Sequence, residues 1–244
     1  MSEKKLTVAL AGNPNAGKTT LFNALTGLHN HVGNWPGKTV TVERMEGKAE
    51  YNGYTLEIVD LPGTYSLSSR ALDEELASEF LRNEKPDAVV NIVDAAHLER
   101  NLYLTLQLIE LGCPLILALN MNKYAEAEGF VIDTKKLSNM LGVPVVKIEA
   151  IDKTGRDELL KEIIAKPAPA KKLPHYSDEF EEHLGEIAKT PADRVVAIFA
   201  LLNKTEGEPA EITATRKHIE TVCGAEINEV VADARYAYIA GVLH

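Results

Sequence analysis

The chain has 244 residues, of which 45% are hydrophobic and 25% charged, and its formal net charge is −10 at pH 7. These proportions are typical of soluble globular proteins and allow one large domain, or one domain with a smaller appendage. The acidic balance argues against a nucleic-acid-binding protein that works through a broad basic face. No apolar run approaches the roughly twenty residues needed to span a bilayer, and the N-terminus lacks a signal-peptide pattern.

The two cysteines, Cys113 and Cys223, lie far apart in the sequence and do not have the spacing of metal ligands. We predict that both are buried, reduced thiols of a cytoplasmic protein. The final stretch "YAYIAGVLH" stops without a C-cap, which suggests that the chain was cut from a longer one.

Up to about residue 165, short β-branched apolar runs alternate with amphipathic helical patterns. In chain order, strands are predicted at residues 6–12, 39–51, 55–61, 87–95, 113–120 and 143–150. Helices are predicted at residues 18–27, 71–84, 98–112, 134–142 and 155–166. The continuous apolar runs are typical of a parallel sheet covered by helices. The alternating stretch 39–51 instead indicates an edge strand that enters a hairpin at "YNGY". We therefore predict a doubly wound, mostly parallel α/β sheet.

The sequence changes character after residue 165. Residues 166–174, "KPAPAKKLP", carry three prolines and no hydrophobic period, so we predict a linker. Helical spacing then returns at residues 178–189, 191–204, 208–224 and 226–243, with Pro191 and Pro209 at helix starts and Ser177 as an N-cap. The predicted organisation is a first domain at residues 1–165 and a small all-α helical bundle at residues 175–244.

The stretch "GNPNAGKT", residues 12–19, follows the first predicted strand and opens the first predicted helix. This is the context that the P-loop pattern G-x-x-x-x-G-K-[ST] requires. Its glycines permit a tight backbone wrap in which successive N–H groups point at phosphate oxygens. Lys18 is placed to reach the β- and γ-phosphates, and the Thr19 hydroxyl is placed to bind Mg²⁺. The motif predicts a nucleotide site.

The stretch "DLPG", residues 60–63, follows the strand predicted at 55–61. We expect the Asp60 carboxylate to hold the metal through water and the Gly63 N–H to bond a γ-phosphate. The next residue is Thr64 and not the Gln that orients water in Ras-like enzymes. Slow turnover is the expected consequence.

The stretch "ALNMNK" resembles the N-K-x-D motif of GTP-binding proteins, in which the Asp accepts hydrogen bonds from guanine. Asn120 is kept, but Met121 replaces the Lys and Lys123 stands in place of the Asp. Because an ammonium only donates, the guanine donors that it faces would stay unpaired, at a cost of about 1–3 kcal/mol. The later loop "KIEAIDKTG" also departs from the base-sensing loop of GTP-binding proteins. Glu149 stands where Ser is usual in that loop, although Ala150 fits. Guanine preference therefore stays open.

Five segments, in order, resemble the cytosolic N-terminal part of the ferrous-iron transporter B (FeoB) family. They are "GNPNAGKTTLFNALTG", "GNWPGKTVTVE", "VDLPGTYSLS", "VVNIVDAAHLERNLYLTLQL" and "ALNM", and "ARYAYI" in the helical tail also fits. The resemblance implies a P-loop GTPase (G) domain, followed by a helical domain often likened to a nucleotide-dissociation inhibitor, at the cytoplasmic face of the cell membrane. It implies GTP and GDP as ligands and a membrane-embedded remainder as partner, and it leaves a homo-oligomer open.

The loop "GNWPG", residues 33–37, holds the only tryptophan of the chain. The resemblance places this loop in switch I, with Thr39 closing onto Mg²⁺ and the γ-phosphate. Certain family members bind K⁺ as an activator through a P-loop Asn, matching Asn15, and through switch I carbonyls, matching Gly33 and Trp35. A cation there can neutralise developing charge. The alternatives are that Trp35 packs against the second domain and that Asn15 is only a turn residue.

The candidate site residues form three sets. The catalytic set is Lys18, Asn15, Thr39 and Gly63. The metal set is Thr19, Thr39 and Asp60 for Mg²⁺, and Asn15, Gly33 and Trp35 for K⁺. The nucleotide-binding set is Gly12, Asn13, Pro14, Asn15, Ala16, Gly17, Lys18, Thr19, Thr20, Trp35, Gly37, Lys38, Thr39, Asp60, Leu61, Pro62, Gly63, Asn120, Met121, Lys123, Glu149 and Ala150. Because His29, His31 and His97 lack metal-ligand spacing, no iron site is expected.

The leading functional hypothesis is a GTPase switch. GTP orders the loops around Thr39 and Gly63, hydrolysis releases them, and the helical domain passes the change to the membrane part, which regulates Fe²⁺ uptake. A GTPase that acts on ribosomes or tRNA has the same fold, but the chain lacks a basic extension. A third hypothesis is a nucleotide-binding module with relaxed base choice or little hydrolysis. ATP would be tolerated because an ammonium at position 123 can donate to adenine N1.

Overall fold

The structure is a computed structural model, and it describes residues 4–27, 30–35, 43–67, 71–171, 173–176, 178–189, 191–205 and 207–243. Several predicted positions therefore lie outside the described residues: His29, Gly37, Lys38, Thr39 and Ser177.

Seven strands of the described chain form one sheet in the order β2-β3-β4-β1-β5-β6-β7. Their bounds are β1 (Lys4–Gly12), β2 (Asn30–Asn34), β3 (Glu43–Tyr51), β4 (Tyr54–Asp60), β5 (Ala88–Asp94), β6 (Leu115–Asn120) and β7 (Val145–Lys147). Pairing is parallel from β4 through β1, β5 and β6 to β7, and antiparallel for β2 with β3 and β3 with β4. The predicted doubly wound, mostly parallel sheet is confirmed. Strand order reverses at β1, which is where such folds bind ligands.

The prediction of an edge strand at residues 39–51 is wrong, because β2 pairs along the outer side of β3. The β2 sequence "NHVGN" is too short and polar for hydrophobic alternation to reveal it. The hairpin that joins β3 and β4 is confirmed, since Tyr51 pairs with Tyr54 across a two-residue turn. Asn52 and Gly53 have φ angles of 47° and 76°, as a type I′ turn requires.

Ten α-helices lie in the described residues. Their bounds are α1 (Lys18–Thr26), α2 (Leu72–Glu84), α3 (Leu98–Glu110), α4 (Asn122–Ala127), α5 (Thr134–Leu141), α6 (Arg156–Ile164), α7 (Asp178–Ile187), α8 (Pro191–Leu202), α9 (Ala210–Cys223) and α10 (Ile227–Leu243). The sequence patterns missed only α4, because six residues are fewer than two turns and show no clear period.

Apolar cores cover both faces of the sheet. Along β1, Ala9 and Ala11 face the core beneath α2 and α3, whereas Val8 and Leu10 face the core beneath α1 and α6. Side chains of a strand alternate between faces, so a strand covered on both sides is apolar throughout. This explains the continuous apolar runs in the sequence.

Helices α7, α8 and α9 build a third core, and α10 connects that core to the sheet. Ile227 and Val231 at the start of α10 pack with the bundle, whereas Ile239 and Val242 near its end pack in the core of α2 and α3. The last helix therefore belongs to both parts of the molecule. The predicted linker, residues 166–174, has no helix or strand in its described residues. The boundaries of the two domains on either side of it stay predictions.

The prediction for the cysteines is half right. Neither cysteine forms a disulfide among the described residues, and Cys113 is buried, but Cys223 is exposed at the end of α9. The helical period around Cys223 shows only that it lies on a helix, whereas the packing of neighbouring helices decides which face is covered. Across the described residues, none of the helices is both long and apolar enough to cross a membrane.

Candidate functional site: a phosphate cradle at the centre of the sheet

The P-loop lies between the end of β1 and the start of α1, at the strand where the sheet order reverses. A side chain at Gly12 would place its Cβ 2.8 Å from the Ile92 carbonyl oxygen, so only glycine fits beside β5. Gly17 is the N-cap of α1 with φ 96°, and no described side chain caps the helix there. The first-turn N–H groups of α1 are thus available to an anion.

The asparagines of the P-loop have different surroundings. Asn15 is exposed and has φ 67°, the left-handed conformation of a tight turn. Asn13 is buried, and its amide nitrogen lies 3.4 Å from the Arg100 carbonyl oxygen. Its Oδ1 is buried without a hydrogen-bond partner among the described residues. A loop with positive φ and an unpaired polar atom is organised for a ligand more than for its own stability.

Lys18, Thr19 and Asp60 meet at the mouth of this loop. The Lys18 ammonium lies 2.5 Å from Asp60 Oδ1, with side chains 10% and 5% exposed, and Thr19 Oγ1 lies 3.4 Å from Asp60 Oδ2. Burial raises the pKa of Asp60 above its ordinary value, and the Lys18 ammonium opposes that rise. A hydroxyl and a carboxylate side by side are the oxygen ligands that Mg²⁺ prefers. These residues therefore fit the predicted ion.

The "DLPG" segment lies directly against the P-loop. The Leu61 N–H donates to the Leu10 carbonyl at 3.0 Å, and the Thr64 N–H donates to the Gly12 carbonyl at 3.2 Å. These bonds carry Gly63 to the backbone of Pro14, which lies 3.6 Å from the ideal Cβ position. The Thr64 hydroxyl donates to the Ser66 carbonyl at 2.6 Å, so this side chain is engaged within its own loop.

Asn120 at the end of β6 ties three loops together. Its Nδ2 donates to the Ala16 carbonyl at 2.9 Å, and its Oδ1 accepts from the Ala150 N–H at 3.0 Å. Asn122 adds a second tie that the sequence reasoning missed, because its side chain donates to the Leu119 and Ile148 carbonyls at 2.7 and 2.9 Å. The loops after β6 and β7 are therefore held beside the P-loop.

Lys123, Glu149 and Asp152 form a charged cluster on these two loops. The Lys123 ammonium lies 2.5 Å from Asp152 Oδ2, and the Lys123 N–H donates to Glu149 Oε1 at 3.0 Å. The ammonium partner holds the pKa of Asp152 well below its usual range. The sequence reasoning singled out Lys123 and Glu149 but missed Asp152, whose side chain only the folded loop brings to position 123.

Trp35 lies in the core beneath α2, with 7% of its surface exposed. Its ring meets Phe80 edge-on, with centroids 5.7 Å apart, and the Arg44 guanidinium lies 4.9 Å from the ring centroid. This packing anchors the end of β2. The predicted roles of the Gly33 and Trp35 carbonyls as K⁺ ligands stay predictions.

The predicted site residues that the structure describes meet at the carboxyl ends of the parallel strands. They are the P-loop with Lys18 and Thr19, the loop of Asp60 and Gly63, and the loops of Asn120 and Ala150. His97 lies near this edge and pairs with Asp94 at 2.8 Å. In the described part of the chain, no three His, Cys, Asp or Glu residues form a group that could hold a metal ion.

Two family models match the chain. The model described as Ferrous iron transport protein B covers residues 6–163, and that described as FeoB cytosolic helical domain covers residues 154–244. The chain belongs to the FeoB family of ferrous iron transport proteins. A FeoB relative, the Fe(2+) transporter of Shigella flexneri, is 41% identical over 98% of this chain and 33% of the relative. The chain thus spans about a third of that relative's length.

Solved FeoB structures have the same fold. A GDP-bound mutant of S. thermophilus NFeoB is 38% identical, with a TM-score of 0.87 over 97% of this chain and 98% of that chain. The apo cytosolic domain of T. maritima FeoB is 33% identical, with a TM-score of 0.83 over 98% of both chains. The resemblance in the sequence and the fold of a G domain followed by a helical domain are both confirmed.

Proposed function

We propose that this chain is the GTP-binding and GTP-hydrolysing part of a ferrous-iron transporter, at the cytoplasmic face of the membrane. The observation that carries the proposal is the meeting of Lys18, Thr19 and Asp60 below the uncapped start of α1. A lysine, a hydroxyl and a carboxylate at a helix N-terminus are the groups that a magnesium-bound polyphosphate requires. The GDP-bound FeoB structure of similar fold supports this assignment.

Binding would use backbone and side-chain groups together. The N–H groups of the P-loop and of the first turn of α1 donate to phosphate oxygens. The Lys18 ammonium, now paired with Asp60, would move a short distance to a β- or γ-phosphate. Thr19 and Asp60 would hold Mg²⁺, Asp60 through water as the sequence suggests, and the ion neutralises phosphate charge when bound.

Hydrolysis would be slow, because the residue after "DLPG" offers no free side chain to orient water. The Thr64 hydroxyl is engaged with the Ser66 carbonyl, which leaves backbone donors such as the Gly63 N–H. A K⁺ ion bound by Asn15 and by switch I carbonyls would add the missing positive charge. The exposed side chain of Asn15 at the turn of the P-loop supports this role. Thr39 would complete the site on the switch I side.

A chain of buried contacts connects the nucleotide site to the helical bundle. The Leu67 N–H, beyond "DLPG", donates to the Gln107 side chain of α3 at 2.9 Å. Glu110, one turn further along α3, pairs with Arg235 of α10 at 2.6 Å. A cleft of about 500 Å³ lies beside this route and is lined by the Tyr65–Leu67 segment together with α3, α8 and α10. We propose this route for coupling to the membrane-embedded remainder and to Fe²⁺ uptake.

The test is hydrolysis of GTP and ATP side by side, in K⁺ and in Na⁺, with Mg²⁺ present. We expect slow, Mg²⁺-dependent phosphate release from GTP that K⁺ accelerates. Lys18→Ala should abolish it, whereas Lys161→Ala, an exposed lysine on α6, should leave it unchanged. A wild-type chain that binds no nucleoside di- or triphosphate would refute the proposal, and so would full activity of Lys18→Ala.

A second candidate is a nucleotide-binding module with relaxed base choice. The observation that favours it is Lys123, whose side chain is 70% exposed beside the loops that face the base. Comparable dissociation constants for GDP and ADP would support this reading.

A further inference from the structure

The charged cluster of Lys123, Glu149 and Asp152 has a definite position relative to the phosphate cradle. Asn120 bonds both Ala16 of the P-loop and Ala150 of the loop after β7, so the cluster lies beside the nucleoside end of any nucleotide bound there. The inference that follows rests on the proposed nucleotide site and concerns which base that site selects.

The ammonium of Lys123 pairs with a carboxylate of this cluster. Its Nζ lies 2.5 Å from Asp152 Oδ2. Asp152 is itself held in place, because its Oδ1 accepts from the Thr154 N–H at 3.0 Å. A charge-assisted hydrogen bond of this kind restrains a long, flexible side chain. Asp152 therefore keeps the Lys123 ammonium occupied.

Glu149 is the second carboxylate of the cluster and is partly buried. Its Oε1 accepts from the Lys123 N–H at 3.0 Å, and its own N–H donates to the Thr154 carbonyl at 3.0 Å. Backbone and side chain are thus both restrained. The described residues provide no hydrogen-bond donor to Oε2, so this oxygen can accept from a ligand.

Guanine and adenine differ at the edge that such an oxygen would meet. Guanine presents two donors, N1–H and the 2-amino group, whereas adenine presents the N1 lone pair. A carboxylate accepts from both guanine donors and repels the adenine lone pair, and an ammonium does the opposite. The cluster holds two carboxylates against one ammonium, which makes it a net acceptor.

We propose that Glu149 is the base-reading residue of this site and selects guanine, with Asp152 as the positioning residue that keeps the Lys123 ammonium away from the base. Lys123 therefore does not make the site choose adenine. The acceptor has moved from position 123 to the loop after β7.

The test measures dissociation constants of GDP, IDP and ADP by calorimetry, since IDP lacks only the 2-amino group of GDP. Wild type should bind GDP tightest, IDP less tightly and ADP weakest. Glu149→Gln keeps the size of the side chain but replaces one carboxylate oxygen with an NH₂ group. Because the remaining oxygen accepts from the Lys123 N–H, the NH₂ group, which only donates, faces the guanine donors. We expect GDP to bind about ten- to a hundredfold more weakly to this variant. Its dissociation constants for GDP and IDP should become nearly equal, and its binding of ADP should not weaken.

Two rescue variants separate base reading from a structural role. Adding Lys123→Asp to Glu149→Gln returns a carboxylate to position 123 and should restore the preference for GDP over IDP. Asp152→Asn frees the ammonium and should lower the affinity for GDP relative to the affinity for ADP, and adding Lys123→Ala should restore the relative affinity for GDP. If Glu149→Gln keeps the wild-type ratio of the GDP and IDP dissociation constants, the inference is overturned, although the proposed nucleotide site stands. Absence of binding by the wild-type chain would instead refute the proposed function.

Discussion

Glu110 of α3 and Arg235 of α10 form an ion pair 2.6 Å long in which the two side chains are only 6% and 5% exposed. A further Arg235 nitrogen lies 3.2 Å from the Tyr103 hydroxyl. The pair lies between the two ends of α10, one of which packs in the bundle core and the other in the sheet core. It therefore fixes the register between the last helix and the G domain.

Breaking this ion pair should be costly. Arg235→Met leaves the Glu110 carboxylate buried without its partner and should lower the free energy of unfolding by about 3–5 kcal/mol, measured by urea denaturation. The double variant Glu110→Leu/Arg235→Met should recover most of that loss, because neither charge is then left alone. Lys166→Ala, which breaks the exposed pair with Asp87, is the control and should cost less than about 1 kcal/mol.

Gly17 and Gly27 flank α1, and substituting each of them separates the cost of backbone strain from an effect on the P-loop. Both have positive φ, but a Cβ at Gly27 meets nothing within 4 Å, whereas one at Gly17 would overlap the Asn120 side-chain amide. Gly27→Ala should cost about 1–3 kcal/mol of stability, because its φ of 63° and ψ of −129° are rarely adopted by residues other than glycine, and should leave GDP affinity unchanged. Gly17→Ala should weaken GDP binding as well, measured by calorimetry. Equal GDP affinities in the two variants would contradict the role given to Gly17.

The two thiols should differ in reactivity. Burial raises the pKa of Cys113 to about 12, whereas Cys223 is exposed. The thiolate is the nucleophile, so at pH 8 the native chain should react with one equivalent of a thiol reagent such as DTNB, and the denatured chain with two. Cys223→Ser should remove the native reaction. Rapid modification of that variant would show that Cys113 is accessible.

The acid stability of the bundle should depend on Glu208. Hydrogen bonds from Arg216, at 2.5 and 2.7 Å, lower the pKa of Glu208 from 4.5 to about 2. A carboxyl whose pKa is lower in the folded state stabilises that state above its unfolded pKa and loses the contribution as pH falls through the folded value. Wild type should therefore be more stable than Glu208→Gln at pH 7, and the difference should shrink between pH 4.5 and about 2.

Circular dichroism of thermal unfolding at a series of pH values would follow this difference. Because other carboxyl groups titrate equally in both chains, only the difference between them reports on Glu208. A constant difference down to pH 2 would contradict the assignment.

Periodicity and motif spacing were sufficient to predict most of the fold. The buried strands are apolar on both faces, and the hairpin and the P-loop carry glycines where the backbone needs positive φ. Local signals of this kind need no knowledge of distant residues. The short elements β2 and α4 were not predicted, because neither is long enough to show a hydrophobic period. The exposure of Cys223 was not predicted either, because it depends on which face of α9 the neighbouring helices cover.

What the sequence determined by itself is a P-loop α/β domain followed by helices. It also named Lys18, Thr19 and Asp60 as candidate site residues, and the structure brings these three side chains together. Both predictions follow from patterns of neighbouring residues. Only the tertiary structure decided that α10 belongs to two cores, that Glu110 meets Arg235 and that Asp152 holds Lys123. Residues 125 and 29 positions apart form these pairs, and no local pattern encodes them, because such contacts depend on how the chain packs through space.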